Sequence, residues 1–125
     1  MRKAIGAAII KDGCILLERK QKTWTLPRVK PEIGESDIQC LFREIRKELP
    51  QLILRDIKYL GVFIGITSRK SDRRCAEVYY LVEVDGKITP GVEIKAAKWI
   101  KNPEEYNLSD IAQEIVLFLR QEGQL

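Results

Sequence analysis

The feature that most constrains the fold is a short, well-capped amphipathic helix that lies between strand-forming segments. Ser36 is a good N-cap residue, and Gln39, three residues later, completes a capping box. Pro50 disfavours helical geometry at the residue before it, so we expect the helix to end near Glu48 or Leu49. Apolar residues at helical spacing predict one stripe that faces the core: Ile38, Leu41, Phe42, Ile45 and Leu49.

The polar side of this helix is unusual because like charges are placed one turn apart. Glu44 and Glu48 form one such pair, and Arg43 and Lys47 form another. On an exposed helix, like charges at this spacing repel by about 0.2–0.5 kcal/mol. Two interpretations stay open: a solvated helix face on which Lys47 bridges the two acids, or carboxylates that are neutralised by a bound cation.

The rest of the chain predicts strands on both sides of this helix. Residues 4–10 (AIGAAII) read as a buried strand, and Asp12-Gly13 reads as a hairpin turn into a partner strand over 14–19. Residues 20–35 form a long connection, and a connection of this length is usually functional. Further strands are predicted over 57–67, 75–84 and 94–100, turns at 68–74 and Pro90-Gly91, and a second helix with Ser109 as its N-cap over 109–121. This order predicts a mixed sheet between helices.

Composition excludes several kinds of chemistry. The chain has no histidine, which excludes Ser-His-Asp triads and histidine metal sites. The three cysteines are scattered, so neither a zinc site nor a disulfide framework is indicated, and a cytoplasmic location is the expectation. The net charge of +4 favours an anionic ligand without indicating a nucleic-acid binder, and no apolar run reaches the length of a membrane span. Any catalysis therefore depends on carboxylates, Lys, Arg, Tyr or a hard cation.

The loop and helix together resemble the Nudix box, whose pattern is G-x5-E-x7-R-E-U-x-E-E-x-G-U, where U is a bulky aliphatic residue. Glu35 matches the first acid, Arg43-Glu44 the R-E pair, and Glu48 the second acid of the E-E pair. The W-x-L-P sequence that ends at Pro27 and the late segment 93–99 (EIKAAKW) are also similar to the family. The resemblance implies one Nudix-like domain over residues 1–125, with an α/β fold: a Nudix-type α/β/α sandwich built on a mixed β-sheet.

The box is degenerate at several positions. Val29 and Pro50 stand where the family has its two glycines, Gln51 replaces the last aliphatic residue, and Lys47 replaces the first acid of the E-E pair. At about 4 Å and a surface-like dielectric, one charge–charge interaction is worth about 4 kcal/mol before desolvation. An ammonium group at position 47 therefore opposes a divalent cation at this face of the helix.

The resemblance implies metal-assisted hydrolysis of a phosphoanhydride bond in a nucleoside diphosphate-X or nucleotide-like substrate. The implied cofactor is Mg²⁺ or Mn²⁺, held by Glu44 and Glu48 and bound weakly or not at all because of Lys47. Those two glutamates and Arg43 are the candidate catalytic residues. Arg43 is also expected to brace the loop through an acid such as Glu35.

Residues outside the acidic face supply the candidates for substrate binding. They are Arg28, Lys30, Glu35 and Tyr80. Glu77 and Glu93 are alternatives for the general base, although surface carboxylates are the simpler interpretation of both.

The chief alternative is a catalytically impaired Nudix-fold module that binds a nucleotide or a protein partner, with Lys47 in the place of a metal-ligand acid. RNA binding depends only on the basic segment 69–74, and a homodimer is suggested by analogy with the family alone. The sequence does not identify the substrate, because the residues that contact the leaving group lie outside the box.

Overall fold

The computed structural model describes residues 4–66, 74–86 and 96–125. Within these ranges the strands are β1 Ala4–Lys11, β2 Cys14–Lys20, β3 Thr23–Thr25, β4 Arg28–Val29, β5 Ile53–Ile66, β6 Arg74–Asp85 and β7 Ala96–Ile100. The helices are α1 Asp37–Glu48 and α2 Asp110–Gln121, with a short 3₁₀ turn at Pro103–Glu105.

Strand β1 lies at the centre of the sheet, and it has both parallel and antiparallel neighbours, so the sheet is mixed. It runs parallel to β6 and antiparallel to β4, and β6 pairs in turn with β5. A two-residue turn leads from β1 into β2, and β2 pairs with both β3 and β7. Asp12 (φ 53°) and Gly13 (φ 76°) both adopt the left-handed backbone that such a hairpin turn needs.

The two helices cover opposite faces of the sheet because alternate side chains of a strand point to opposite sides. One buried cluster joins Ile5 and Ile9 of β1 to Leu41 and Ile45 of α1. The second cluster, on the α2 side, includes Ala8, Tyr79 and the apolar residues of α2. The predicted α/β/α sandwich with a mixed sheet is confirmed.

Most predicted elements are present, with differences at their boundaries. Strand β5 begins at Ile53 rather than at residue 57, and the connection over 20–35 contains the two short strands β3 and β4. The predicted turn at 68–74 falls almost wholly outside the described residues. The Pro90-Gly91 turn and Glu93 also lie outside them.

Helix α1 begins as predicted, but the predicted apolar stripe is partly wrong. The Ser36 hydroxyl oxygen accepts the Gln39 N–H at 3.2 Å, and the Gln39 side-chain oxygen accepts the Ser36 N–H at 2.9 Å, so the capping box is formed. Ile38 and Phe42, however, are 38% and 47% exposed. The helix packs on β1 and β4, which leaves its other flank uncovered and buries its acidic side instead.

Candidate active site

Helix α1 buries two carboxylates, one turn apart, against the sheet. Glu44 is 8% exposed and Glu48 is 4% exposed. Moving an ionised carboxylate out of water is costly unless a positive charge or hydrogen-bond donors compensate. The interpretation of these two residues as part of a solvated helix face is therefore wrong.

Arg43 joins α1 to the loop that precedes it. Its Nε donates to Glu35 Oε2 at 2.7 Å and its Nη2 donates to Glu35 Oε1 at 2.9 Å, a bidentate pair. The same guanidinium reaches the Lys30 carbonyl oxygen at 3.3 Å. The predicted contact between Arg43 and Glu35 is confirmed, and it holds the loop over residues 30–35 against the helix.

This ion pair changes the acidity of Glu35. The Arg43 guanidinium, together with the Glu32 backbone N–H, lowers the pKa of Glu35 from 4.5 to about 2. The same contact raises the pKa of Arg43, so both groups are charged at neutral pH. Arg43 Nη1 also lies 4.0 Å from Glu44 Oε1, which brings its positive charge to the edge of the buried acidic pair.

The two buried glutamates supply oxygen donors of the kind that Mg²⁺ and Mn²⁺ prefer. No group of three or more Asp, Glu, Cys or His side chains that could hold a metal ion occurs within residues 4–66, 74–86 and 96–125. Lys47, at the position of the third acid of the box, lies on the exposed side of α1. The donor type therefore fits a divalent cation, while the number of protein ligands is small.

The two positions where the family has glycine are accommodated without strain. Val29 lies in β4, pairs with Ile5 and is not among the residues with positive φ. Pro50 directly follows the C-cap residue Leu49, whose φ of −134° and ψ of 68° have already left the helix. The tight turn of the loop is instead made by Gly34, with φ 82°.

Arg28 and Glu77 lie on the opposite face of the sheet from Glu44 and Glu48. Arg28 donates to Glu77, which is 2% exposed and also accepts the Tyr79 O–H at 2.8 Å. Burial, followed by the charge of Glu77, raises the pKa of Tyr79. Glu77 is thus not the surface carboxylate that the sequence suggested, and the structure does not bring Arg28 together with the acidic pair on α1.

Tyr80 and Lys30 lie on the α1 side of the sheet. The Tyr80 O–H donates to Asp37 Oδ2, in the first turn of α1, at 2.6 Å. Burial and this hydrogen bond raise the pKa of Tyr80 to about 12. Lys30 has an exposed side chain in the loop. A cleft of about 560 Å³ opens between this loop, the first turn of α1 and the strands beneath, lined by Ile5, Pro31, Glu32, Ile33, Gly34, Glu35, Asp37 and Val78.

One buried acid was not among the residues predicted from the sequence. Glu18 in β2 is 0% exposed, and it faces the same side of the sheet as Leu16, a member of the core cluster under α1. The signal was available in the segment 14–19 (CILLER), where an acid directly follows three apolar residues of a buried strand. A fully buried carboxyl group therefore lies in the layer that α1 covers.

Comparison with known families and structures gives a consistent result. A family model described as the NUDIX domain matches residues 1–121. No curated protein matches the chain. No helix in the described part of the chain is long and apolar enough to cross a membrane.

Several solved structures share the fold. A MutT NUDIX hydrolase from Burkholderia pseudomallei is similar with a TM-score of 0.77 and 24% identity, over 93% of this chain and 95% of that one. The ORF135 protein of E. coli is similar with a TM-score of 0.72 and 26% identity, over 96% and 91% of the two chains. A UDP-X diphosphatase is similar with a TM-score of 0.76 and 22% identity, over 99% of this chain and 64% of that one.

Proposed function

Because the chain belongs to the NUDIX domain family, we propose that it hydrolyses a phosphoanhydride bond in a nucleoside diphosphate-X or nucleotide-like substrate. The observation that supports this proposal is the burial of Glu44 and Glu48 on one side of α1, beside a loop that Arg43 braces. One similar structure is a UDP-X diphosphatase, and its name describes a nucleoside diphosphate-X as the substrate. Residues 1–125 would then act as a single Nudix-like domain.

The proposed cofactor is Mg²⁺ or Mn²⁺, held by Glu44 and Glu48. When bound, such an ion neutralises phosphate charge and makes water a better nucleophile. The two buried carboxylates provide its protein ligands, and one of them also serves as the general base. Binding is expected to be weak, because Lys47 places an opposing charge on the adjacent surface of α1.

The candidate substrate-binding residues take different roles under this proposal. Lys30 is exposed in the loop, where its ammonium group is free to approach a phosphate. Glu35 and Tyr80 act as positioning residues, since the first is engaged by Arg43 and the second by Asp37. Arg28 faces the α2 layer, so a direct contact with a substrate held at α1 would require it to leave Glu77.

The proposal is tested by turnover over a panel of nucleoside triphosphates and nucleoside diphosphate derivatives with Mg²⁺ or Mn²⁺. Glu48→Gln is expected to lower the metal-dependent rate by about 100-fold or more, the usual contribution of a positioned general base. Glu105→Gln, which changes an exposed acid in the 3₁₀ turn, is the matched control and should retain the full rate. Equal rates for wild type and Glu48→Gln would contradict the proposal.

The second candidate function is a non-hydrolytic module that binds a nucleotide or a protein. The observation that favours it is Lys47 at an acid position of the box, together with only two acids on the buried face of α1. Under this alternative the wild type has no turnover, and Lys47→Glu, alone or with Val29→Gly, gains metal-dependent turnover. A wild type that binds nucleotide without turnover would favour the binding module, and variants that also stay inactive would show that Lys47 is not what prevents hydrolysis.

Two further expectations concern the partner, which follows from the family, and the location, which follows from the scattered cysteines. The proposed partner is a small nucleotide-like molecule, with no role for nucleic acid, and the proposed location is the cytoplasm. A gel-shift assay with RNA that shows no salt-sensitive complex would agree with this part of the proposal.

A further inference from the structure

Strand β5 forms an edge of the sheet and is long for an edge strand. It has 14 residues and pairs with β6 on one side, and in the described part of the chain no strand pairs with its other side. An unpaired edge presents a row of backbone N–H and C=O groups that can accept another strand. Natural edges are usually protected by charges, short length or bulges.

The protection on β5 lies before Val62. Arg55, Asp56 and Lys58 lie there, and both irregularities in its pairing with β6 occur before Val62. The second half, residues 59–66 (YLGVFIGI), has no charge. Its side chains Tyr59, Val62 and Ile64 are 63%, 47% and 58% exposed.

A groove of about 830 Å³ follows this uncharged half. It is lined on one side by Val62, Phe63, Ile64 and Gly65, and on the other by Asp110, Gln113, Glu114 and Leu117 of α2. Successive residues of a strand point to opposite faces, so four successive β5 residues can share one groove only along the edge of the strand. The α2 wall of the groove is acidic, since Asp110 and Glu114 are both exposed.

We propose that the occupant of this edge is β5 of a second copy of the chain, paired antiparallel about a two-fold axis. In such a dimer the uncharged halves of the two β5 strands lie side by side. The charged half of each strand then begins beside the C-terminal end of the other strand. Lys58 of one copy then lies beside Gly65 and the N-terminal turns of α2 of the other copy. That position places it next to Asp110 and Glu114.

Charge complementarity favours β5 of a second copy as the occupant of this edge. Lys58 pairs with Leu81 and shares a cleft with Gln124, which follows α2, so its side chain lies on the α2 side of the sheet. Its side chain is 74% exposed and lies 4.0 Å from Asp56 of the same strand, a surface pair weak enough to be exchanged for the acids of a neighbouring molecule. Lys58 lies in the strand that would enter the groove, on the same side as the acidic wall. Its positive charge therefore complements the negative charge of that wall.

The first experiment measures the molar mass of the purified chain by sedimentation equilibrium over a range of concentrations. We expect a concentration-dependent dimer in the wild type and a monomer for Ile64→Lys, which puts two like charges near the two-fold axis. Ile53→Lys is the matched control, because Ile53 is 63% exposed on the same strand but lies outside the uncharged half. Thermal unfolding of both variants checks that each is folded. A wild type that stays monomeric up to about 1 mM would overturn the proposal.

The second experiment reverses the charges. Lys58→Glu and Glu114→Lys are each expected to raise the dimer dissociation constant about tenfold, and the double variant is expected to return it to near the wild-type value. Arg46→Glu makes the same charge change at an exposed site on α1, on the other face of the sheet, and should leave the constant unchanged. A dimer that is insensitive to Ile64→Lys, or single charge reversals that the double variant does not rescue, would assign the self-association to another surface.

Discussion

Glu35 is a single carboxyl group whose ionisation reports whether the box loop is attached to α1. Its pKa is lowered from 4.5 to about 2, chiefly by the Arg43 side chain. A group with a lowered pKa in the folded state contributes stability above its unfolded pKa, and that stability is lost as the pH falls through its folded pKa. The contribution of Glu35 is therefore complete above pH 4.5 and is lost between about pH 4.5 and 2.

We expect the Glu35→Gln variant to lack this pH dependence. The difference in free energy of unfolding between wild type and variant should be constant above pH 4.5 and should narrow as the pH falls toward about 2. Urea unfolding measured through that interval tests it. Glu32→Gln is the control, since its side chain is 71% exposed and lies 3.9 Å from Arg43. A difference that does not change with pH would show that Arg43 does not hold Glu35 in solution.

A second single-residue effect concerns Gly6 in β1, which lies under the ring of Tyr79. A Cβ at position 6 would clash with ring carbons of Tyr79, and Tyr79 is fully buried and held by Glu77. Gly6→Ala is therefore expected to lower the free energy of unfolding by about 1–3 kcal/mol, the usual cost of overpacking a core.

Chemical denaturation measures this effect, and Gly61→Ala provides the comparison. A Cβ at Gly61 would meet Phe63 at 3.7 Å, an ordinary contact, so that variant should stay within about 0.5 kcal/mol of wild type. If Gly6→Ala is as stable as Gly61→Ala, the ring of Tyr79 does not lie over β1.

At the scale of elements, the rotation of α1 about its own axis decides which side of the helix faces the sheet, and its own sequence does not specify this setting. Leu41 is 1% exposed, whereas the adjacent Phe42 is 47% exposed, although both belong to the same apolar pattern. The setting matters for function because it directs Glu44 and Glu48 toward the sheet and Lys47 toward solvent.

Alanine substitutions at these two positions test the setting. Leu41→Ala is expected to lower the free energy of unfolding by about 2–5 kcal/mol, because it leaves a cavity in the core. Phe42→Ala should cost about 1 kcal/mol or less, because about half of the side chain is already in water. Denaturant unfolding of both variants gives the comparison, and a larger loss for Phe42→Ala would indicate that α1 is turned the other way.

At the scale of the whole molecule, stability should respond to a divalent cation if the acidic side of α1 holds one. A ligand that binds only the folded state stabilises it by mass action, about 2.7 kcal/mol at 100 times its dissociation constant. For a chain of 125 residues this corresponds to a rise in Tm of several degrees. The measurement is independent of turnover, so it separates cation binding from catalysis.

We expect Mn²⁺ to raise the Tm of the wild type and to have a larger effect on Lys47→Glu, where a repelling charge becomes a third acid. Glu48→Gln should lose the effect, and sodium chloride of the same ionic strength serves as the control for screening. A wild type that does not respond, next to a Lys47→Glu variant that does, would support the impaired binding module over the hydrolase.

The sequence predicted much of the fold because the features it used are local. The capping box at Ser36 and Gln39 and the two-residue hairpin at Asp12-Gly13 depend on residues within a few positions of one another. The spacing of Glu44 and Glu48 on one side of a helix is likewise fixed by the helical repeat. Strand and helix periodicity then restricts the ways in which the elements can be layered.

Tertiary structure decided everything that depends on which surfaces meet. The helical repeat makes Ile38, Leu41, Glu44 and Glu48 near neighbours around α1, and only its packing on β1 and β4 left Ile38 in water and buried the acids. Similarly, Arg28 and Glu77 are 49 residues apart, and their ion pair exists because β4 and β6 both pair with β1. Local hydrogen bonding and periodicity determine elements, whereas the burial of a charge depends on contacts between residues far apart in the chain.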